Sequence, residues 1–303
     1  MTLRIALAAA VVTALAAVAA CAGSAAAPAT PATPAAAVTA PATAQSHSPS
    51  AAPSVSDSGS AGGAPTATLS VYFLRPIGGS QPGRGPFIAT AHRLVAATKA
   101  PATAAVKALL AGPTARERAI GMTSAIPAGT TLRSLVISAG VATVDLSGAF
   151  APAAAATSAA AQLCYTLTRF PTVGRGVIIE VNGAAFAVDG SRAARKRADY
   201  ESVTPPIFVE DPAPFDVVRS PIKVVGTADV FEATFQSRLF DAAARRLAGG
   251  TVPATSGSGT RGSFSFSLAV GGSAAAGRLV CFDASAENGA SLHTVSIPLT
   301  FAH

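Results

Sequence analysis

Few side chains in this sequence are able to carry chemistry, and their spacing decides what each can do. Beyond residue 67 the imidazoles are His92, His293 and His303, and none has a second ligand at a sequence spacing that would hold a metal ion. His92 falls in an expected loop, His293 near an expected strand start and His303 at the C-terminal end, so all three read as surface groups. Glu210 and Asp211 are adjacent, and consecutive strand side chains point to opposite faces, which argues against a shared acid/base pair. Ser220-Pro221-Ile222-Lys223 has the Ser-x-x-Lys spacing that activates a serine, but that chemistry needs a helical turn and the surroundings are strand-like. The Gly-rich pieces at 59 to 63 and 256 to 262 lack the Lys-Ser/Thr ending of a phosphate-cradling loop. The expectation is a protein that is not an enzyme, with no catalytic, cofactor-binding or metal-binding residues and no cofactor.

One thiol has a different setting. Arg4 makes the start positive, residues 5 to 18 form a short apolar run, and Val18-Ala19-Ala20-Cys21 ends it with small residues before a cysteine. This pattern resembles a bacterial lipobox. The resemblance implies that residues 1 to 20 are a lipoprotein signal peptide and that lipidated Cys21 anchors the chain at the outer face of the cytoplasmic membrane. An ordinary cleaved signal and an uncut apolar helix over residues 5 to 27 are the alternatives, and all three export the chain.

Residues 21 to 67 are mostly Ala, Pro, Thr and Ser, with Asp57 as the one Asp, Glu, Lys or Arg and seven prolines from 22 onward. Such a segment cannot bury enough apolar surface to offset its ordering entropy, so it is expected to be a disordered tether. Its 46 residues after Cys21 reach on the order of 140 Å in polyproline geometry and about 40 Å as a loose coil. Order is expected from residue 68. The pattern predicts a strand over 69–74, a Gly- and Pro-rich loop through 76–86, a helix over 102–111 and a hairpin of 132–138 with 141–146 about Ala139-Gly140. A second helix over 153–169 puts Ala156, Ala160, Leu163, Leu167 and Phe170 on one stripe with Cys164 beside it. A hairpin of 177–182 and 185–188 follows about Gly183.

This order gives an α+β domain over 68–190, a mixed sheet with two helices on one face. Residues 191 to 204 carry Arg192, Arg195, Lys196 and Arg197 and read as a solvated basic linker. Residues 205 to 303 hold short strands near 207–210, 222–228, 233–240, 263–270, 277–284 and 292–299, the pattern of an all-β immunoglobulin-like sandwich, with 242–247 as a further strand or turn. Cys164 and Cys281, one in each domain, read as two separately buried thiols. Asp145 and Ser147, at a strand end before a helix, read as capping residues.

Charge is uneven. Residues 68–202 contain 14 Lys+Arg against 6 Asp+Glu, a balance of +8, and residues 203–303 contain 7 against 8, a balance of −1. A basic domain near a membrane can face anionic lipid or acidic wall polymer, whereas export makes nucleic acid an unsuitable partner. With no Trp and three Tyr, aromatic stacking platforms are scarce.

Several ordered blocks carry a family resemblance. They are Leu109-Leu110-Ala111-Gly112-Pro113-Thr114, Ser124 to Thr130, Gly140 to Ser147 with Phe150, Tyr165 to Val173, and Val181-Asn182-Gly183. Over roughly 69–190 the sequence resembles the GerMN domain of sporulation and spore germination proteins, common in envelope lipoproteins. Pro206 to Val209, Ser220 to Ala228 and Val230 to Ala233 resemble the immunoglobulin-like domain that accompanies it. The resemblance implies a non-enzymatic, lipid-anchored cell-envelope protein that acts as a protein-binding or assembly module, with envelope proteins as partners and self-association side by side through sheet and helix faces; an open mixed sheet and a sandwich also expose edge strands on which a partner chain can add a strand. A wall-polymer (peptidoglycan) binding module and an envelope hydrolase with an unrecognised site are the alternatives.

Overall fold

A computed structural model describes residues 65–271 and 274–302. The expected signal peptide, Cys21 and almost all of the tether lie outside these residues, as does His303. Among the described residues no helix is long and apolar enough to cross a membrane.

The first domain opens with an antiparallel ribbon of β1 (Thr66–Arg75) and β2 (Phe87–Ala96). β2 is an addition to the expected elements, and it moves His92 from a loop into a strand. Helix α1 (Pro101–Leu110) starts with Pro at its first turn, where no amide is lost, and buries Ala102, Ala105, Val106 and Leu109. Gly112 ends it at φ +79°, donating its N–H to the Leu109 carbonyl at 2.9 Å. A short helix, α2 (Ala115–Ala119), is opened by a capping box: the Thr114 hydroxyl accepts from the Glu117 N–H, and the Glu117 carboxylate accepts from the Thr114 N–H.

The hairpin of β3 (Leu132–Ser138) and β4 (Val141–Leu146) turns at Ala139-Gly140 as expected. Helix α3 (Ala156–Leu167) then crosses over to β5 (Gly176–Val181), which lies parallel to β4, and the two-residue β6 (Ala184–Ala185) closes a four-stranded mixed sheet in the order β3-β4-β5-β6. The domain is thus α+β, as anticipated, with its strands divided between a ribbon and a mixed sheet. Both long helices touch each other and the ribbon, and each also touches the mixed sheet.

That placement explains why α3 is buried all round from Ala159 to Leu167 instead of along one stripe. Its two inner polar residues, one helical turn apart, serve the ribbon. The Gln162 amide donates to the Tyr72 carbonyl at 3.0 Å and accepts from Ala125 N–H at 2.7 Å, while the Thr166 hydroxyl accepts from Tyr72 N–H at 3.3 Å. These bonds satisfy backbone groups that burial would otherwise strand.

The second domain is a sandwich. β7 (Ile207–Asp211), β9 (Ile222–Ala228) and β12 (Gly262–Leu268) make one sheet, ordered β12-β9-β7. β8 (Val217–Arg219), β10 (Thr234–Asp241), β11 (Arg246–Pro253), β13 (Ala276–Ala284) and β14 (Ser291–Ala302) make the other, ordered β11-β10-β13-β14-β8. Between them lies a core that includes Val224, Phe235, Leu239, Leu279, Cys281 and Ile297. Phe235 and Phe264 meet edge to face at 4.8 Å. Gly226 makes room for this, since a Cβ there would sit 2.1 Å from the Phe208 carbonyl oxygen and 2.6 Å from the Phe264 ring.

Candidate functional site at the domain junction

Strand β7 decides how the two domains meet. Ile207 and Val209 enter the sandwich core, while Phe208 belongs to the core of the first domain, where its ring lies 6.1 Å from Tyr72 and 5.6 Å from Tyr165. The two-residue period of the strand places Glu210 on the same side as Phe208. There its carboxylate accepts from the Tyr72 hydroxyl at 2.6 Å and from the Arg197 guanidinium at 2.7 Å, with Arg169 at 3.9 Å.

Arg197 was expected on a solvated linker and is instead packed into this junction. Its side chain is 28% exposed and that of Glu210 14%. It also donates to the Thr168 hydroxyl at 2.8 Å and the Tyr165 carbonyl at 3.0 Å, and lies over the Tyr165 ring at 4.7 Å. The sequence signal was available: Ile207-Phe208-Val209 is apolar on both faces, so Glu210 had to meet a partner in a dry layer. Burial pushes the Glu210 carboxyl up, but Arg197, the Tyr72 hydroxyl and Arg169 outweigh it and hold the group below its usual range. Burial, with Glu210 beside it, pushes the Tyr72 hydroxyl up, so it stays protonated as a donor.

A backbone clamp joins the domains a second time. The expected Gly/Pro loop runs beside the start of β14: Gly78 and Thr294 exchange two hydrogen bonds of 2.8 Å, and Ser80 and Gln81 donate to the Ser291 and Leu292 carbonyls. Gly79 sits inside the clamp at φ +103°, and a Cβ there would fall 2.0 Å from the Leu292 carbonyl oxygen. Gly79→Ala is expected to cost on the order of 2–3 kcal/mol, lowering Tm by about 5–10 °C in a body of this size. Calorimetry checks this, and a Tm within about 1 °C of wild type would contradict the clamp.

His92 is a third link. Its Nδ1 lies 2.8 and 3.0 Å from the two carboxylate oxygens of Asp216, so Nδ1 carries the proton, and Asp216 also accepts from Ala213 N–H at 2.8 Å. Asp211 is beside them, and the ligand atoms of His92, Asp211 and Asp216 all lie within 4.8 Å of one another. Burial pushes the Asp211 carboxyl above its usual range and Asp216 adds to this, while His92 acts against it. Sequence reasoning missed the cluster because His92 lies about 120 residues before the two aspartates and β2 was not anticipated.

The other groups singled out from sequence are engaged structurally. His293 is bound to Asp283 at 2.9 Å. Asp145 caps the β5–β6 turn and not a helix: it accepts from Gly183 N–H at 2.9 Å, which, against burial and together with Arg133, holds its carboxyl low. The Ser147 hydroxyl accepts from Thr131 N–H at 3.0 Å. Ser220 accepts from Val270 N–H at 2.9 Å, and Lys223 is on the exposed side of β9. Cys164 and Cys281 are free and buried, which pushes each thiol up to about 12 and leaves it unreactive.

Two family models match the chain. Residues 70–186 match Germane, described as "Sporulation and spore germination", and residues 206–290 match Gmad2, "Immunoglobulin-like domain of bacterial spore germination". The chain therefore carries a GerMN-type domain followed by the immunoglobulin-like domain of bacterial spore germination. Among solved structures it is similar to the tandem GerMN domains of the sporulation protein GerM from Bacillus subtilis, at 22% identity and TM-score 0.32 over 39% of this chain and 40% of that one. The first GerMN domain of the same protein gives 18% identity and TM-score 0.32 over 39% and 85% of the two chains. A Clostridium perfringens protein, classed by inference as a lipoprotein, gives 21% identity and TM-score 0.30 over 46% and 93%. This chain thus spans less than half the length of the tandem-domain structure, and the domain assignment rests on the two family models. No curated protein matches the chain.

Proposed function

We propose that this chain is a non-enzymatic, lipid-anchored cell-envelope protein, held through Cys21, whose two joined domains bind an extended segment of another envelope protein. The observation that carries the binding role is strand β3. It is an edge of the mixed sheet, paired to β4 on one side, and Val136 and Ile137 stand 57% and 36% exposed upon it. A row of backbone donors and acceptors flanked by apolar side chains is the surface on which a partner chain adds a strand. The sporulation and germination domains place no constraint on which process the assembly serves.

A second reading has its own observation. An open pocket of about 350 Å³ is lined by Thr168, Arg169, Lys196 and Arg197 with Gly174 and Gly176, a basic surface suited to anionic wall polymer. Photo-cross-linking in living cells separates the two. A photoreactive residue at Val136 is expected to give discrete protein adducts that Ile137→Lys reduces at least fivefold. The same chain, with native residues at both positions, is expected not to sediment with purified peptidoglycan at low or high salt. Salt-sensitive sedimentation without protein adducts would overturn the first reading in favour of the second.

A further inference from the structure

We propose that His92, Asp211 and Asp216 form a Zn²⁺ site that staples the first domain to the sandwich. Each ligand comes from a different piece of the fold: β2, the end of β7, and the turn before β8. The donor set is one imidazole nitrogen and two carboxylates, with all three ligand atoms inside 4.8 Å. Around a tetrahedral zinc, with bonds of about 2.0–2.2 Å, ligand atoms stand about 3.4 Å apart. His92 and Asp216 are already at 2.8–3.0 Å, so the ion would take the place of the proton between them, that proton passing to Nε2 or to solvent, and the Asp211 carboxylate lies within 4.8 Å of both. One coordination position would remain for water or a partner's side chain.

The charges favour a cation. Two carboxylates and one imidazole converge there, and among the described residues no hydrogen bond reaches the Asp211 side chain. A dication between them would offset the mutual repulsion of the Asp211 and Asp216 carboxylates. Arg169 and Lys223 act on Asp211 in the opposite sense, and His92 is the one cation-capable group that would itself become a ligand. The Ala213 N–H orients Asp216 as outer partners orient metal ligands elsewhere. Imidazole with carboxylate suits zinc better than the all-oxygen sets of calcium or magnesium.

The test uses the full-length chain, purified in detergent, stripped with EDTA and titrated with ZnCl₂ by calorimetry, with Co²⁺ absorption as a second readout. The expected result is one high-affinity Zn²⁺ per chain, a rise in Tm on loading, and a Co²⁺ band characteristic of four or five ligands. Asp211→Asn, which leaves the His92–Asp216 bond intact, is expected to weaken binding at least tenfold and abolish the Co²⁺ band. His92→Gln is expected to do the same. Absence of Zn²⁺ binding by wild type, or binding by both variants within twofold of wild type, would overturn the site. Loss of the cross-links at Val136 would leave this result untouched, since that strand is not part of it.

Discussion

Glu210→Ala is expected to destabilise the described body by on the order of 3 kcal/mol, the scale of a buried ion pair broken on one side. The variant would leave Arg197 packed against Tyr72 and Tyr165 with its positive charge uncompensated, and the Tyr72 hydroxyl without its acceptor. Chemical denaturation monitored by circular dichroism measures the loss. The pH dependence identifies its origin. The carboxyl of Glu210 is held below its unfolded value of about 4.3, so its contribution is fully present above that value and disappears as pH falls through the lower folded value. The stability gap between wild type and Glu210→Gln is therefore expected to be constant from pH 7 to about 5 and to close below about 4. A gap unchanged at pH 3 would assign the effect to packing and contradict the electrostatic latch.

The second large effect is expected at Cys21. If its thiol carries the anchor, cells fed an alkyne fatty acid should label the wild-type chain, and Cys21→Ala should reduce the label to background. The physical basis is chain number: one acyl chain binds membranes marginally, whereas two, at about 0.8 kcal/mol per buried methylene, give durable attachment. Label retained by the variant, or absent from wild type, would contradict lipidation at Cys21 and leave an ordinary signal or an uncut helix.

Much of the fold was legible because local rules agreed with the tertiary ones. The Ala139-Gly140 turn, the helix begun at Pro101 and closed by Gly112, and the alternation in Ile222–Ala228 each appear where the pattern places them. β2 was not legible, because its alternation is spoiled by Ala89 and Ala91 and it follows a loop rich in Gly and Pro. α2 left a readable signal, the Thr114-x-x-Glu117 capping box, in a segment too short to show helical periodicity. β11 was blurred by Gly249 and Gly250.

The junction was the least legible part. Its charges read as a solvated run because a sequence window sees Arg195, Lys196 and Arg197 together, whereas the compensating Glu210 comes from the next strand and Tyr72 from 125 residues earlier. The same non-local pairing hid His92 from Asp216. Both pairs become visible only once the two-sided apolar pattern of Ile207-Phe208-Val209 is read as a strand shared by two cores.

The central claim is that this two-domain body works at the cell exterior on a lipid anchor, and the mass of the mature N-terminal peptide tests it most directly. Protein extracted from membranes and digested should yield a peptide that begins at Cys21 and carries the mass of a diacylglyceryl group. An unmodified N-terminus at any other residue, or full-length protein recovered from the cytosol, would contradict it.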